Sequence, residues 1–212
     1  MVTFLIIRHG FSQGNKEKRF TGQLDVPLDE AGISQAKSVA RYISENYRVD
    51  RIYASDLSRA YNTVKPLADT LGLPVIPHKG LREVHEGIWQ GLRVQDIEAQ
   101  YAEYFSLYKT NRGKYPIEGG ESYQQVMDRA ILTMDEIARE NEGKTVVVGS
   151  HGGWIRCLCG AWLSVPVERI DEVSLTANGS LTVVNYENGK AKFVQIGSTD
   201  HLTDTITEAG IQ

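Results

Sequence analysis

The sequence predicts an α/β protein, a three-layer α/β/α arrangement around a mostly parallel central sheet. Three observations predict it. Short apolar runs of strand length, at residues 3–7, 51–54, 74–76 and 145–149, alternate with stretches whose apolar residues recur at helical spacing. Strands that alternate with helices are joined by right-handed crossovers, which gives parallel pairing with helices on both faces. Runs such as Phe4-Leu5-Ile6-Ile7 and Val146-Val147-Val148 are apolar throughout, as strands covered on both sides are.

The elements follow in order. Residues 3–7 read as a buried strand. Asp29 stands as N-cap of a helix with apolar positions Ile33, Ala36, Val39, Ala40, Ile43 and Tyr47. Arg51-Ile52-Tyr53-Ala54 is a short strand, and Ser55-Asp56 reads as the cap of a helix running to about Leu71, stopped by Gly72 and Pro74. Pro74-Val75-Ile76 is a further short strand. Residues 80–93 read as loop. Residues 94–108 read as one helix whose Tyr101, Tyr104, Phe105 and Tyr108 pack into the core. Ser122 caps a helix with Tyr123, Val126, Met127, Ala130, Ile131, Met134, Ile137 and Ala138 on one stripe. Strand 145–149 leads into a helix over 152–163. From Glu172 to Gly197 apolar and polar residues alternate, with turns at Asn178-Gly179 and Asn188-Gly189, the pattern of a strand-hairpin unit. No linker or repeat divides the chain, so residues 1–212 are expected to form a single domain.

Composition narrows the function classes. Hydrophobic residues make up 41% and charged residues 24%, the balance of a globular chain. A net charge of −4 with scattered lysines and arginines argues against a nucleic-acid stripe or a membrane-binding face. No apolar stretch approaches the length that spans a bilayer. Met1-Val2-Thr3 enters a strand without a basic n-region, so a cytoplasmic address is expected. Cys157 and Cys159 point to different faces of a helix and read as two small buried thiols, not as a zinc site or a disulfide. His78, His85 and His201 fall in loops and are expected to be solvated.

Two apolar runs end alike, in Arg8-His9-Gly10 and in Ser150-His151-Gly152-Gly153. Functional loops of such folds gather at the carboxyl ends of the strands, which places both turns on one edge. Arginine supplies a planar, permanent cation matched to phosphate oxygens, and glycine lets the backbone approach a ligand. His151 opens a helix whose amides and dipole favour an anion, and that positive field is expected to keep its imidazole neutral. Together these residues imply an anion site. Other chemistries fit less well. Gly149 directly precedes Ser150, so the G-x-S-x-G of serine hydrolases is absent. Gly143-Lys144-Thr145 lacks the upstream glycine of a P-loop and enters a strand. No His pair at i,i+4 and no carboxylate cluster marks a metal site.

A longer set of segments carries a family resemblance. Arg8-His9-Gly10, Asn15, Phe20-Thr21-Gly22, Asp25 and Pro27-Leu28 open it. Ser55-Asp56-Leu57-Ser58-Arg59-Ala60 and Thr63 continue it, then Leu81-Arg82-Glu83 with Gly87, Trp89 and Gly91, and Gly119-Gly120-Glu121-Ser122. Ser150-His151-Gly152-Gly153 with Ile155-Arg156 closes it. In this order and over nearly the whole chain, the set resembles the histidine phosphatase superfamily, the phosphoglycerate mutase-like proteins. The resemblance implies their fold and assigns roles. His9 would take the phosphoryl group as phosphohistidine. Arg8, Arg59 and His151 would bind the phosphate, helped by Asn15 and the backbone at Gly152. Glu83 would be the general acid, its carboxyl raised by a phosphate dianion and an apolar loop at Ile88 and Trp89, and Thr21 and Gly22 would line the substrate side. The implied partner is a small phosphorylated metabolite. Neither a metal nor a cofactor is required, because two arginines and two imidazoles supply charge stabilisation for a loose phosphoryl-transfer transition state.

Read singly, Arg59 would pair with Asp56 on its own helix and Glu83 would be a surface charge. Glu86 is the reserve proton donor, and Arg156 and Glu121 read as reinforcement of the loops. Phe11 is expected to make the pocket wall more apolar, and Lys16, Arg19, Arg82 and His85 to add positive charge at the rim. Cofactor-dependent mutases of the family carry a long insert that closes the site, and the interval from Gly91 to Ile117 lacks it. An open site admits water, which favours a phosphatase over a mutase. A non-catalytic phosphate-binding module is disfavoured because Arg8, His9, Arg59, Glu83 and His151 are all present.

Overall fold

The computed structural model describes residues 1–202. The first apolar run forms β1 (Val2–Arg8), followed by a single turn, α1 (Gln13–Lys16), capped by Ser12. The helix α2 (Glu30–Asn46) begins at Asp29, whose carboxylate accepts the Gly32 amide at 3.0 Å. β2 (Arg51–Ala54), α3 (Ser58–Leu71) and β3 (Val75–Pro77) complete the first half. The second half holds α4 (Val94–Gln100), α5 (Ala102–Thr110), α6 (Tyr123–Glu140), β4 (Thr145–Ser150), α7 (Gly152–Trp162), β5 (Leu181–Glu187) and β6 (Lys190–Ser198).

The strands form one six-stranded sheet in the order β3-β2-β4-β1-β5-β6. β3, β2, β4 and β1 run parallel, and β5 and β6 add to the β1 side antiparallel. Alternate residues of each strand enter opposite layers. Leu5, Ile7, Ile52 and Val147 pack with Val39 and Ile43 of α2 and Val64 and Leu67 of α3. Phe4, Ile6, Val146 and Val148 pack with Met127 and Met134 of α6 and Trp154 and Leu158 of α7. Two-sided cover is why these strands are apolar at every position, and each such side chain contributes about 1.5–3 kcal/mol by leaving water. The α/β/α layering matches the expectation from the sequence.

Local expectations differ at four places. α3 starts at Ser58, with Leu57 as a cap that makes no side-chain bond. Ser55 Oγ accepts the Leu57 amide at 3.3 Å, and Asp56 is drawn away by Arg82 at 2.6 and 2.5 Å. The expected helix over 94–108 is two helices, broken at Tyr101 (φ −130°, ψ 33°). The apolar spacing continues in phase across the break, so the pattern does not reveal it. Phe105 and Tyr108 are buried around Trp89, as core packing requires, while Tyr104 is partly exposed. Residues 172–180 form no strand, because they turn toward the end of β1 and bond to it; the hairpin begins at Leu181. His201 is buried, stacked on Tyr42 at 5.4 Å, and its Nε2–H donates to Gly179 O at 2.8 Å.

Cys157 and Cys159 are buried free thiols, and burial pushes Cys159 up to about 12. Among the described residues no helix is long and apolar enough to cross a membrane.

Candidate active site

The register of β1 on β4 builds the site. Arg8 stands opposite Ser150, so the next residue of each strand, His9 and His151, leaves the sheet at the same edge. The His9 amide donates to Ser150 O at 2.9 Å. The two imidazoles lie side by side, with ring centroids 5.2 Å apart at 59°. His9 Nδ1 is 2.7 Å from the Gly10 carbonyl. A carbonyl only accepts, so Nδ1 carries the proton and the lone pair resides on Nε2.

Arginines surround this pair. Arg8 donates through Nη1 to Thr176 O, and its Nε has no protein partner. Arg59, on the first turn of α3, donates to Leu24 O at 2.8 Å and Gly22 O at 2.7 Å, and its Nε is likewise unpartnered. These bonds replace the pairing with Asp56 that the helix alone would predict. Both ring nitrogens of His151 are buried and unpartnered as well. Buried donors are rarely left unbonded, so this concentration of them at one strand edge is suited to an anion with several acceptor oxygens.

Charge shapes the titration of these groups. Burial, then the Arg59 and Arg8 cations, hold His9 well below its ordinary value. Burial, then Arg59, His9 and Arg8, do the same for His151, which keeps both imidazoles neutral. Burial lowers Arg8 to about 10 against the opposing pull of Glu83.

Glu83 is seated on the start of α7. Its carboxylate accepts the amides of Gly153 at 3.2 Å, Trp154 at 2.9 Å and Val84 at 2.9 Å. The two glycines of the turn make these approaches possible. A Cβ on Gly153 would stand 2.8 Å from Glu83 Oε1, and one on Gly152 would stand 3.0 Å from the Arg8 guanidinium.

Arg8, His9, Asn15, Thr21, Gly22, Glu83 and Gly152 all line one cleft. His151 packs against His9 at its side, and Arg59 acts on both imidazoles. Seven of the candidates thus line one cleft and His151 stands beside one of them, while Arg59 and His151 are not themselves part of its lining. The surrounding expectations fare differently. Phe11 does not line the cleft, because its backbone is turned against Asp29 and Gln35; Phe20 and Leu175 supply the apolar wall. Lys16, Arg19, Arg82 and His85 do not line it either; Arg82 is taken by Asp56, and Arg19 bonds Glu17 at 2.5 Å and Gly91 O at 2.6 Å. Glu121 reinforces the loops as expected, holding Arg129 at 2.9 and 2.8 Å and the His85 amide at 2.9 Å. Arg156 stands 3.6 Å from Asp171 and lines the cleft as well.

Sequence reasoning missed Asn178, which it read only as a turn residue. It is buried, and its Nδ2 donates to His9 O at 2.9 Å and reaches Asn15 Oδ1 at 3.3 Å. It also missed Tyr108, Arg112 and Tyr123, which line the far part of the cleft. Among the described residues no group of three or more His, Cys, Asp or Glu could hold a metal ion.

A strand-edge pair of neutral imidazoles, two buried arginines and a carboxylate on one cleft define a phosphate-handling class of protein. The comparisons agree. Residues 4–199 match the model of the histidine phosphatase superfamily (branch 1), and the chain belongs to that family. It is 34% identical to phosphoglycerate mutase-like protein 4 of Arabidopsis thaliana, over 95% of this chain and 87% of the relative. It is 31% identical to phosphoserine phosphatase 1 of Hydrogenobacter thermophilus, over 99% of this chain and 98% of the relative. The solved structure of Bacillus stearothermophilus YhfR superposes with a TM-score of 0.90 at 26% identity, covering 95% of this chain and all of the other.

Proposed function

We propose that the protein is a phosphatase that hydrolyses small phosphorylated metabolites through a phosphohistidine on His9, without a metal. The observation that carries this reading is the neutral imidazole pair at 5.2 Å, with buried, unpartnered nitrogens on Arg8, Arg59 and His151. In the first step the His9 Nε2 lone pair forms the bond to phosphorus and the bond to the ester oxygen breaks. Arg8, Arg59, His151, Asn15 and the Gly152 amide hold the equatorial oxygens as their charge grows. Glu83 gives its proton to the departing oxygen. In the second step water attacks phosphorus, Glu83 takes the proton from it, and orthophosphate leaves with His9 restored.

Glu83 is preferred to Glu86 as the proton donor because it sits on the α7 turn that carries His151. Glu86 instead lies among Tyr108, Tyr123 and Arg112. Between Gly91 and Ile117 the chain holds only α4, α5 and a short turn, too little to seal the site from water as a mutase requires. The name of the relative matched over nearly its full length, a phosphoserine phosphatase, supports hydrolysis. The test is turnover of p-nitrophenyl phosphate in EDTA. The wild type is expected to release phosphate and to yield an acid-labile phosphoenzyme on rapid quench, and His9→Ala to do neither. Robust turnover by His9→Ala removes His9 from the reaction, and interconversion of 2- and 3-phosphoglycerate faster than phosphate release makes the protein a mutase.

A further inference from the structure

The cleft extends past the phosphate end to a wall that the transfer steps leave unused, formed by Glu86, Tyr108, Arg112, Tyr123 and Arg156. Glu86 is the unsatisfied acidic group there. Its Oε2 is sealed from solvent and accepts no hydrogen bond. The groups around it are partly engaged with one another. The Tyr108 and Tyr123 hydroxyls face each other at 3.5 Å. Arg112 gives its Nη1 and its backbone amide to Asp171 and lies over the Tyr108 ring at 5.5 Å. Arg156 Nη1 stands 3.6 Å from the same Asp171. The two cations on this wall are thus partly neutralised by a carboxylate that is not Glu86.

We infer that Glu86 receives the ammonium group of the substrate's leaving group, so that the substrate class is an amine-bearing phosphomonoester, an O-phosphorylated amino acid in its simplest form. The inference deepens the phosphatase reading and rests on it. A half-buried carboxyl with an unpartnered oxygen ionises more readily when a cation arrives. Burial and the neighbouring Glu83 charge push Glu86 up to about 8 in the free protein, with Arg112 and Arg59 opposing weakly. An ammonium offsets both effects and fills the open lone pair with a charge-assisted bond, which a hydroxyl in the same place does not. A leaving-group carboxylate would have Arg156, whose Nε is buried and unpartnered, on the same wall.

Matched substrates isolate the ammonium. O-Phospho-L-serine and 3-phospho-L-glycerate, which share the configuration at C2, differ only in carrying NH₃⁺ or OH there. Phosphoethanolamine and ethylene glycol monophosphate make the same exchange without a carboxylate. Wild-type kcat/KM for phosphate release is expected to favour the amine of each pair by about tenfold or more, where tenfold corresponds to about 1.4 kcal/mol. Glu86→Gln is expected to bring both ratios toward unity, and Glu86→Asp to retain part of them. A wild-type ratio at or below one overturns the inference and needs no variant to be read. An unchanged ratio in a folded Glu86→Gln protein overturns it as well, as does an equal loss on all four substrates, which would place Glu86 in proton transfer. Turnover of p-nitrophenyl phosphate separates the two levels. If the wild type turns it over while the ratios are flat, only the amine inference fails; if the wild type does not, the phosphatase reading fails and takes the inference with it.

Discussion

Asn178→Ala tests how the nucleophile is held. Asn178 lies in the turn before β5 and is 3% exposed. Its Nδ2 donates to His9 O at 2.9 Å and reaches Asn15 Oδ1 at 3.3 Å. Truncation leaves neither acceptor bare. His9 O keeps the Gly179 amide at 3.2 Å, and Asn15 Oδ1 keeps the Ser12 amide at 3.1 Å and the Ser12 hydroxyl at 2.8 Å. The loss is therefore one net hydrogen bond, about 1 kcal/mol, and a small buried void worth up to about another 1 kcal/mol. For a chain of this size the melting temperature is expected to fall by about 2–8 °C. Loosening of both His9 and Asn15 is expected to lower kcat/KM about tenfold, because transfer depends on placement. Asn178→Asp supplies the sign. It turns a carboxylate toward two acceptors inside the fold, so it should destabilise more than Ala does. Thermal unfolding by circular dichroism, with p-nitrophenyl phosphate kinetics on the same samples, measures both effects. An Asn178→Ala melt within about 1 °C of wild type, which corresponds to about 0.3 kcal/mol, or an Asp variant as stable as the parent, refutes the reasoning.

Two further outcomes follow from the site. Glu83→Gln should slow alkyl phosphomonoesters by roughly 10²–10⁴ but p-nitrophenyl phosphate far less, because nitrophenolate departs without a proton; equal losses on both would take proton donation away from Glu83. His9 and His151 are held well below the ordinary value of 6.5 by burial and by Arg59 and Arg8. Their NMR ring signals should therefore not titrate near that pH in the folded protein. The unfolded chain does take up these protons as pH falls through about 6.5, so stability is complete above that pH and declines below it. A ring titrating near 6.5, or a melting temperature that rises on acidification from 6.5, contradicts this.

Much of the fold was legible because burial imposes it residue by residue. A strand covered on both faces is apolar throughout, and β1 and β4 announce themselves in that way. α2 and α6 show their capping residues and their stripes. Features that depend on direction were not legible. The break at Tyr101 leaves the apolar spacing in phase, and Asp56 looks like a helix cap until Arg82 arrives from another loop. The alternation through residues 172–180 resembles a strand, yet these residues leave the sheet to hold Arg8 and His9. His201 lies in a loop by every local sign, but a neighbouring helix and turn bury it.

From the sequence alone came the candidates for the site: two histidines where apolar runs end, with Arg59 and Glu83 added by the family resemblance. The residue types and their place after apolar runs are local properties, so they survive without coordinates. Only the folded structure decided that Arg8 pairs with Ser150, and hence that His9 meets His151, because register is a relation between distant segments. The same holds for Asn178 under His9 and for the sealed oxygen of Glu86. What a polar group lacks can be seen only when everything packed around it is in place.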